Sequence, residues 1–296
     1  NGGSPGADVP RPAPGGADGA YLAHWRLAEP PFLIAPDPRF TYERADHREG
    51  LARLLFGLTQ VGGLVMITGA IGCGKTMLAR TLAGTLDADG HRLVAVANPP
   101  RGAAGLLRAL LAAAGEESRA RAAADLAARL RQRLDGEVRG GPRTVLAVDE
   151  AQRLDARALD ELRLLTNPED GGGGGALVVL LGQPELGARV ARLPQVAQRV
   201  VVRYHLGPMS PAEVAAYVAH RTRVAGGPRP IFSERAALAV HAETGGVPRL
   251  VNLLCANALF VGFARGEAQV SEDLVRDLAE DRRSDERAWE ESLSAA

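Results

Sequence analysis

Lysine is almost absent from this sequence: of 35 basic side chains, one, Lys75, is a lysine. Arginine has filled the general surface positions where either cation serves, so Lys75 marks a place where a guanidinium would fail. A compact ammonium on a flexible stem reaches between phosphate oxygens in a narrow loop, whereas the planar guanidinium is bulkier and fixed in its fork. Cysteine is scarce as well. Cys73 and Cys255 match no metal or redox spacing, which excludes a disulfide-stapled secreted scaffold and fits two free thiols in a reducing compartment. Net charge is missing: 35 acidic residues balance 35 basic ones and the pI is about 7.2. That excludes a strong overall field toward nucleic acid or an anionic membrane, though not a local basic patch. Long apolar runs are also lacking. The stretch Ala176 to Leu181 is far too short to span a bilayer, and no basic-then-apolar leader opens the chain, so the expectation is a soluble protein.

What is present is an ordinary globular composition, 46% apolar over 296 residues, enough for one large or two modest domains. Residues 1–20 are mostly Gly, Pro, Ala and Asp and read as a disordered tail. From Tyr21 to Tyr42 prolines and aromatics form a packed but irregular lead-in. Beyond it, helical and strand periodicities alternate. A helix is expected over about 45–58, a strand at Leu64–Thr68, a helix at Gly74–Leu86 and a strand at Arg92–Ala97. Helices follow at 103–114 and 118–134, a strand at Thr144–Val148, a helix after Asp155, and strands at Ala176–Leu181 and Val200–His205. Strands alternating with helices predict an α/β domain over residues 21–206, a parallel sheet covered on both faces. After Leu206 only helices are expected. Ser210, Pro211 and Glu213 spell a cap, a first-turn proline and a capping-box acid, and Ser233 and Ser271 are further caps. Residues 207–280 read as a small helical domain, with a charged tail fraying from 281.

The chemistry concentrates in two motifs. Gly69, Ala70, Ile71, Gly72, Cys73, Gly74, Lys75 and Thr76 match GxxxxGK[ST] between an apolar strand and a helix, the context the motif requires. Its backbone N–H groups wrap phosphates, the helix start adds its positive end, Lys75 reaches the β and γ phosphates of ATP, and Thr76 ligates Mg2+. The second motif is Asp149–Glu150, an acid pair directly after an apolar strand. In a parallel sheet these acids share the carboxyl edge with the phosphate loop. There Asp149 would hold the metal, and Glu150 would orient and deprotonate the attacking water.

Together with AVDEAQ at 147–152, LLGQPEL at 180–186, QRVVVRYHL at 198–206 and GGVPRLVNLL at 245–254, these motifs make the chain resemble AAA+ ATPases. More closely it resembles the general secretion pathway A type, including relatives attached to pilus and exopolysaccharide systems; PPFLIAPDPRF and DHREGLARLL are also similar to that group. The resemblance covers roughly residues 25–280 and implies a P-loop sheet with a C-terminal helical lid. It implies that Gln183 senses the γ-phosphate, that Asn98 restrains the catalytic acid, and that Arg199 is an arginine finger offered to a neighbouring subunit. Arg203, four residues on, is the competing finger, read as held against the sheet. Arg249 corresponds to the second sensor that couples the lid to the nucleotide. Two departures stand out: Cys73 replaces a small hydroxyl residue, and five glycines run from Gly171 to Gly175.

The resemblance implies a cytoplasmic, homo-oligomeric ATPase, peripheral to the inner membrane through a partner, that acts on an envelope secretion, pilus or exopolysaccharide system. Two alternatives remain open at this stage. One is a DNA-binding regulator, since transposition ATPases share this core; residues 101–139 carry eight arginines against five acids, but interleaved with leucines at helical spacing, which reads as a solvated helix face. The other is a slow nucleotide switch that recruits a partner.

Overall fold

The computed structural model describes residues 17–33, 37–59, 63–88, 91–138, 144–167 and 176–294. Most of the expected tail, the five-glycine run and the last two residues lie outside them. The chain divides into two compact units, one from Glu43 to Pro208, the other joining Asn1–Tyr42 to Met209–Ala296.

The first unit is a five-stranded parallel sheet in the order β2-β3-β4-β1-β5, with β1 at Gly63–Gly69, β2 at Arg92–Val96, β3 at Thr144–Val148, β4 at Leu177–Gly182 and β5 at Val200–Leu206. Every residue of β1, β3 and β4 is buried, as a central strand covered on both faces requires. Successive side chains alternate between the two faces. Leu64, Met66, Leu146, Val148, Val178 and Leu180 pack on one side with leucines of α4 (Ala103–Ala113), α5 (Ala123–Val138) and α6 (Ala156–Leu165). Val65, Ile67, Val145, Ala147, Val179 and Leu181 pack on the other with Leu54 of α2 (Ala45–Thr59) and Leu78 and Leu82 of α3 (Lys75–Ala88). Leu126, Leu130 and Leu134 of α5 are core residues, while Arg129 stands exposed against Glu116 at 3.4 Å. The arginine-leucine alternation there is thus an amphipathic helix with a solvated face.

Two short helices, α7 (Glu185–Ala191) and α8 (Pro194–Ala197), fill the stretch between β4 and β5, for which the sequence reading placed no element. Buried Arg44 donates from Nη1 and Nη2 to the Gly207 carbonyl and from Nη2 to that of Pro208, at 3.1–3.2 Å. It joins the entry and exit of the chain in this unit.

The second unit holds α1 (Ala17–Trp25), α9 (Pro211–Val224), α10 (Glu234–Thr244), α11 (Pro248–Ala264) and α12 (Glu272–Ser294). The capping box of α9 is complete, Ser210 and Glu213 each accepting the other's backbone N–H, and Ser233 and Ser271 cap α10 and α12 as the sequence predicts. Two boundaries differ from the sequence reading. The aromatic lead-in packs here rather than on the sheet unit: Trp25, Leu27, Phe32 and Phe40 join the helical core, and Trp25 Nε1 donates to the Leu259 carbonyl at 2.8 Å. At the other end, helix α12 continues from 281 to Ser294 instead of fraying. No glycine or proline interrupts it after Ser271, and an Arg276–Glu272 pair at 2.5 Å and an Arg283–Glu243 pair support it. Among the described residues no helix is long and apolar enough to cross a membrane.

Candidate functional site

The strand order decides what meets at the carboxyl edge of the sheet. β4 lies between β3 and β1, with Thr68 level with Gly182 and Val148 level with Leu180. The phosphate loop after β1, the acid pair after β3 and Gln183 after β4 therefore emerge side by side, with Gln183 in the middle.

In the loop, Gly72 and Gly74 adopt φ of 81° and 102°. At Gly74 a Cβ would also lie 2.8 Å from His47 Nε2, so only glycine suits that turn. Helix α3 begins at Lys75, directing its first N–H groups toward the loop. Lys75 is buried, and its Nζ donates to the carbonyls of Gly69 at 2.8 Å and Ala70 at 2.9 Å. The ammonium thus rests on its own loop, held by neutral oxygens that anionic phosphate would outcompete. Cys73 is a buried free thiol whose pKa burial raises. It packs as a small apolar group within the loop.

Thr76 Oγ1 donates to Asp149 Oδ2 at 3.1 Å, while Asp149 Oδ1 accepts the Glu150 N–H at 2.8 Å. A hydroxyl and a carboxylate this close are hard oxygen donors of the kind Mg2+ takes, usually with retained waters and substrate phosphates completing the shell. The residues fit that ion, and Thr76 and Asp149 are the ones that would hold it.

Glu150 has φ 52° and ψ 32°, the left-handed region. For a residue with a Cβ that conformation costs about 1–3 kcal/mol, and such strain clusters at functional sites. Its carboxylate accepts a hydrogen bond from Gln152 Nε2 at 2.7 Å, and Gln152 Oε1 accepts the backbone N–H of Gln183 at 3.1 Å. Gln152 is the residue that sequence reading missed. It stood in the AVDEAQ motif, but nothing in one sequence shows that its amide would bridge two strand ends.

Asn98 does not take the restraining position expected of it: its Oδ1 faces Arg153 Nη1 at 3.5 Å, and the side chain bonded to Glu150 is that of Gln152. Nor does this chain bring Arg199 to its own phosphate loop. Arg199 precedes β5, its carbonyl accepts the N–H of Leu64 near the start of β1, and its Nη2 donates to Asn167 Oδ1 at 2.6 Å. It lies at the amino edge of a parallel sheet whose phosphate loop is at the carboxyl edge, roughly 20 Å away over the length of β1. Arg203 lies inside β5, exposed, with Nη2 on the Ala197 carbonyl at 3.1 Å. Arg249, in the helical unit, is exposed in the first turn of α11 after Pro248.

The comparisons with known proteins agree with this geometry. The profile of a known family, described as AAA domain, matches residues 59–190. Over 257 residues the chain is 40% identical to general secretion pathway protein A of Aeromonas hydrophila, a match covering 84% of this chain and 46% of that protein. The chain therefore spans about half the length of that relative. Among solved structures it is similar to the Aeropyrum pernix ORC2 protein in its ADPNP–ADP complexes, with a TM-score of 0.64 and 20% identity over 85% of this chain and 70% of that one. It is likewise similar to Cdc6p of Pyrobaculum aerophilum, with a TM-score of 0.64 and 17% identity over 80% of this chain and 68% of that one. At such identities these two establish the fold alone. With the phosphate loop, the acid pair and the parallel sheet in place, residues 59–190 carry an AAA domain on a P-loop AAA+ fold, and the chain is like general secretion pathway protein A.

Proposed function

We propose that this chain binds ATP with Mg2+ at the carboxyl edge of its sheet and hydrolyses it. The observation that carries the reading is the continuous set of polar contacts from Thr76 through Asp149, Glu150 and Gln152 to Gln183, beside a phosphate loop on whose carbonyls Lys75 rests. In this reading the loop N–H groups and Lys75 hold the β and γ phosphates, and Thr76 and Asp149 hold the metal, which supplies charge neutralisation when bound. Glu150 accepts a proton from water as its oxygen bonds to the γ-phosphorus; the bond from that phosphorus to the β,γ-bridging oxygen breaks, and ADP carries the electron pair away. In this reading Gln183, directly after the central strand β4, senses the γ-phosphate through its side-chain amide.

Arg199 completes the site of a neighbouring copy. Its place at the amino edge makes it useless to its own nucleotide, so any phosphate it touches belongs to another subunit, and the active form is a homo-oligomer. Arg249 and the helical unit respond to the bound nucleotide as a lid. The likeness to general secretion pathway protein A supports a role in an envelope export or assembly system, with this chain acting from the cytoplasmic side on a protein partner. A phosphate-release assay with MgATP across a range of protein concentrations tests the reading. Turnover per subunit should rise as copies associate; absence of turnover at every concentration would overturn it.

A further inference from the structure

Gln152 is held at both ends, and the ends are different. The Gln183 backbone N–H can only donate, so the Gln152 oxygen must face it; the Gln152 NH2 must then face Glu150. The amide is therefore locked in one orientation by its two neighbours. A separate feature of the fold makes room for it: a Cβ on Gly182 would lie 2.9 Å from Gln152 Oε1, so the glycine of LLGQPEL leaves the space that the glutamine of AVDEAQ crosses. Only one oxygen of the Glu150 carboxylate, Oε2, accepts the Gln152 amide. That fixes the plane and direction of a side chain whose backbone is already held in an uncommon conformation.

We infer that Gln152 is a positioning residue for hydrolysis, aiming the Glu150 carboxylate at the attacking water and tying its aim to the position of the Gln183 turn after β4. The inference rests on the reading of Glu150 as the acceptor of the water's proton. It adds that a displacement of Gln183 at the γ-phosphate is passed to Glu150 through one side-chain amide. Gly182 is then part of the same device, because a side chain at 182 would push Gln152 out of line.

The test compares Gln152→Met, which keeps the length and loses both hydrogen bonds, with Gln152→Glu, which keeps the acceptor for Gln183 and loses the donor to Glu150. In both, kcat should fall about 10- to 100-fold, the range for a misaimed reacting group, while fluorescent-ATP affinity, KM and the thermal midpoint stay near the wild-type values. Gly182→Ala should also lower kcat, together with the thermal midpoint, because its Cβ would crowd buried Leu186 as well as Gln152. In a Glu150→Gln background, single-turnover hydrolysis should fall no further when Gln152→Met is added, since the residue acts only through Glu150. A wild-type kcat in both Gln152 variants, or an equal further loss in the Glu150→Gln background, would overturn the inference while leaving ATP hydrolysis standing. A wild-type chain that binds ATP without turning it over would overturn both readings.

Discussion

Two buried cations, Arg221 of the helical unit and Lys75 of the sheet unit, are each 6% exposed and are used in opposite ways. In the helical unit Arg221 is closed in: its guanidinium donates to the Pro31 carbonyl, the Tyr217 hydroxyl and Asn252 Oδ1, and lies within 6 Å of the rings of Phe32, Phe40 and Tyr217. In the sheet unit Lys75 leans on two carbonyls of its own glycine-containing loop. Arg221 is planar, with several donors satisfied from three directions, and fastens the aromatic lead-in to the helices. Lys75 is a point charge on a flexible stem, resting on weak partners that a phosphate replaces. A buried charge therefore signals structure at Arg221 and a binding site at Lys75, and the partners tell the two apart.

Exchanging their fates would break this contrast. Lys75→Ala should abolish tight ATP binding while the fold survives, and Lys75→Arg should impair binding severely because the fork does not fit the loop. Fluorescent-nucleotide titration beside a thermal melt checks this; unchanged affinity in Lys75→Ala would remove the phosphate-loop assignment. Arg199 sharpens the contrast by adding a half-buried cation that donates to Asn167 in its own unit and stands away from its own phosphate loop. Arg199→Ala should keep ATP binding and lose hydrolysis by roughly 10³ to 10⁵. Mixing it with Glu150→Gln should restore some activity, since mixed interfaces pair an intact acid with an intact arginine. Co-assembled but inactive mixtures would refute the finger in trans. The smallest effect belongs to Arg221. Arg221→Met should lower unfolding stability by about 2–4 kcal/mol, because the Pro31, Tyr217 and Asn252 groups lose their buried donor. In denaturant melts this loss should appear with nucleotide affinity left intact in the folded protein.

The same contrast shows how far sequence carries. Phosphate loop, acid pair, strands and helix caps were legible because each is local: a run of apolar residues, a spacing of glycines, a serine three residues before a capping acid. The strand order was not, and it alone brings Gln183 between Lys75 and Glu150. Gln152 was invisible for the same reason, since its two partners lie on different strand ends. The lead-in was assigned to the sheet unit because it precedes it in sequence. Its aromatics instead pack in the core of the helices, around Arg221, 190 residues from its Pro31 acceptor. The extension of α12 to Ser294 was missed because charge density was read as fraying, where the absence of glycine and proline decided the outcome.

In the proposed site at the edge carrying Lys75, Asp149 and Glu150, binding and chemistry belong to different residues. Glu150→Gln separates them most directly, with ATP affinity and single-turnover hydrolysis measured on one protein sample in magnesium. Wild-type affinity with hydrolysis slower by roughly 10² to 10⁴ is expected. Hydrolysis at the wild-type rate in that variant would contradict it.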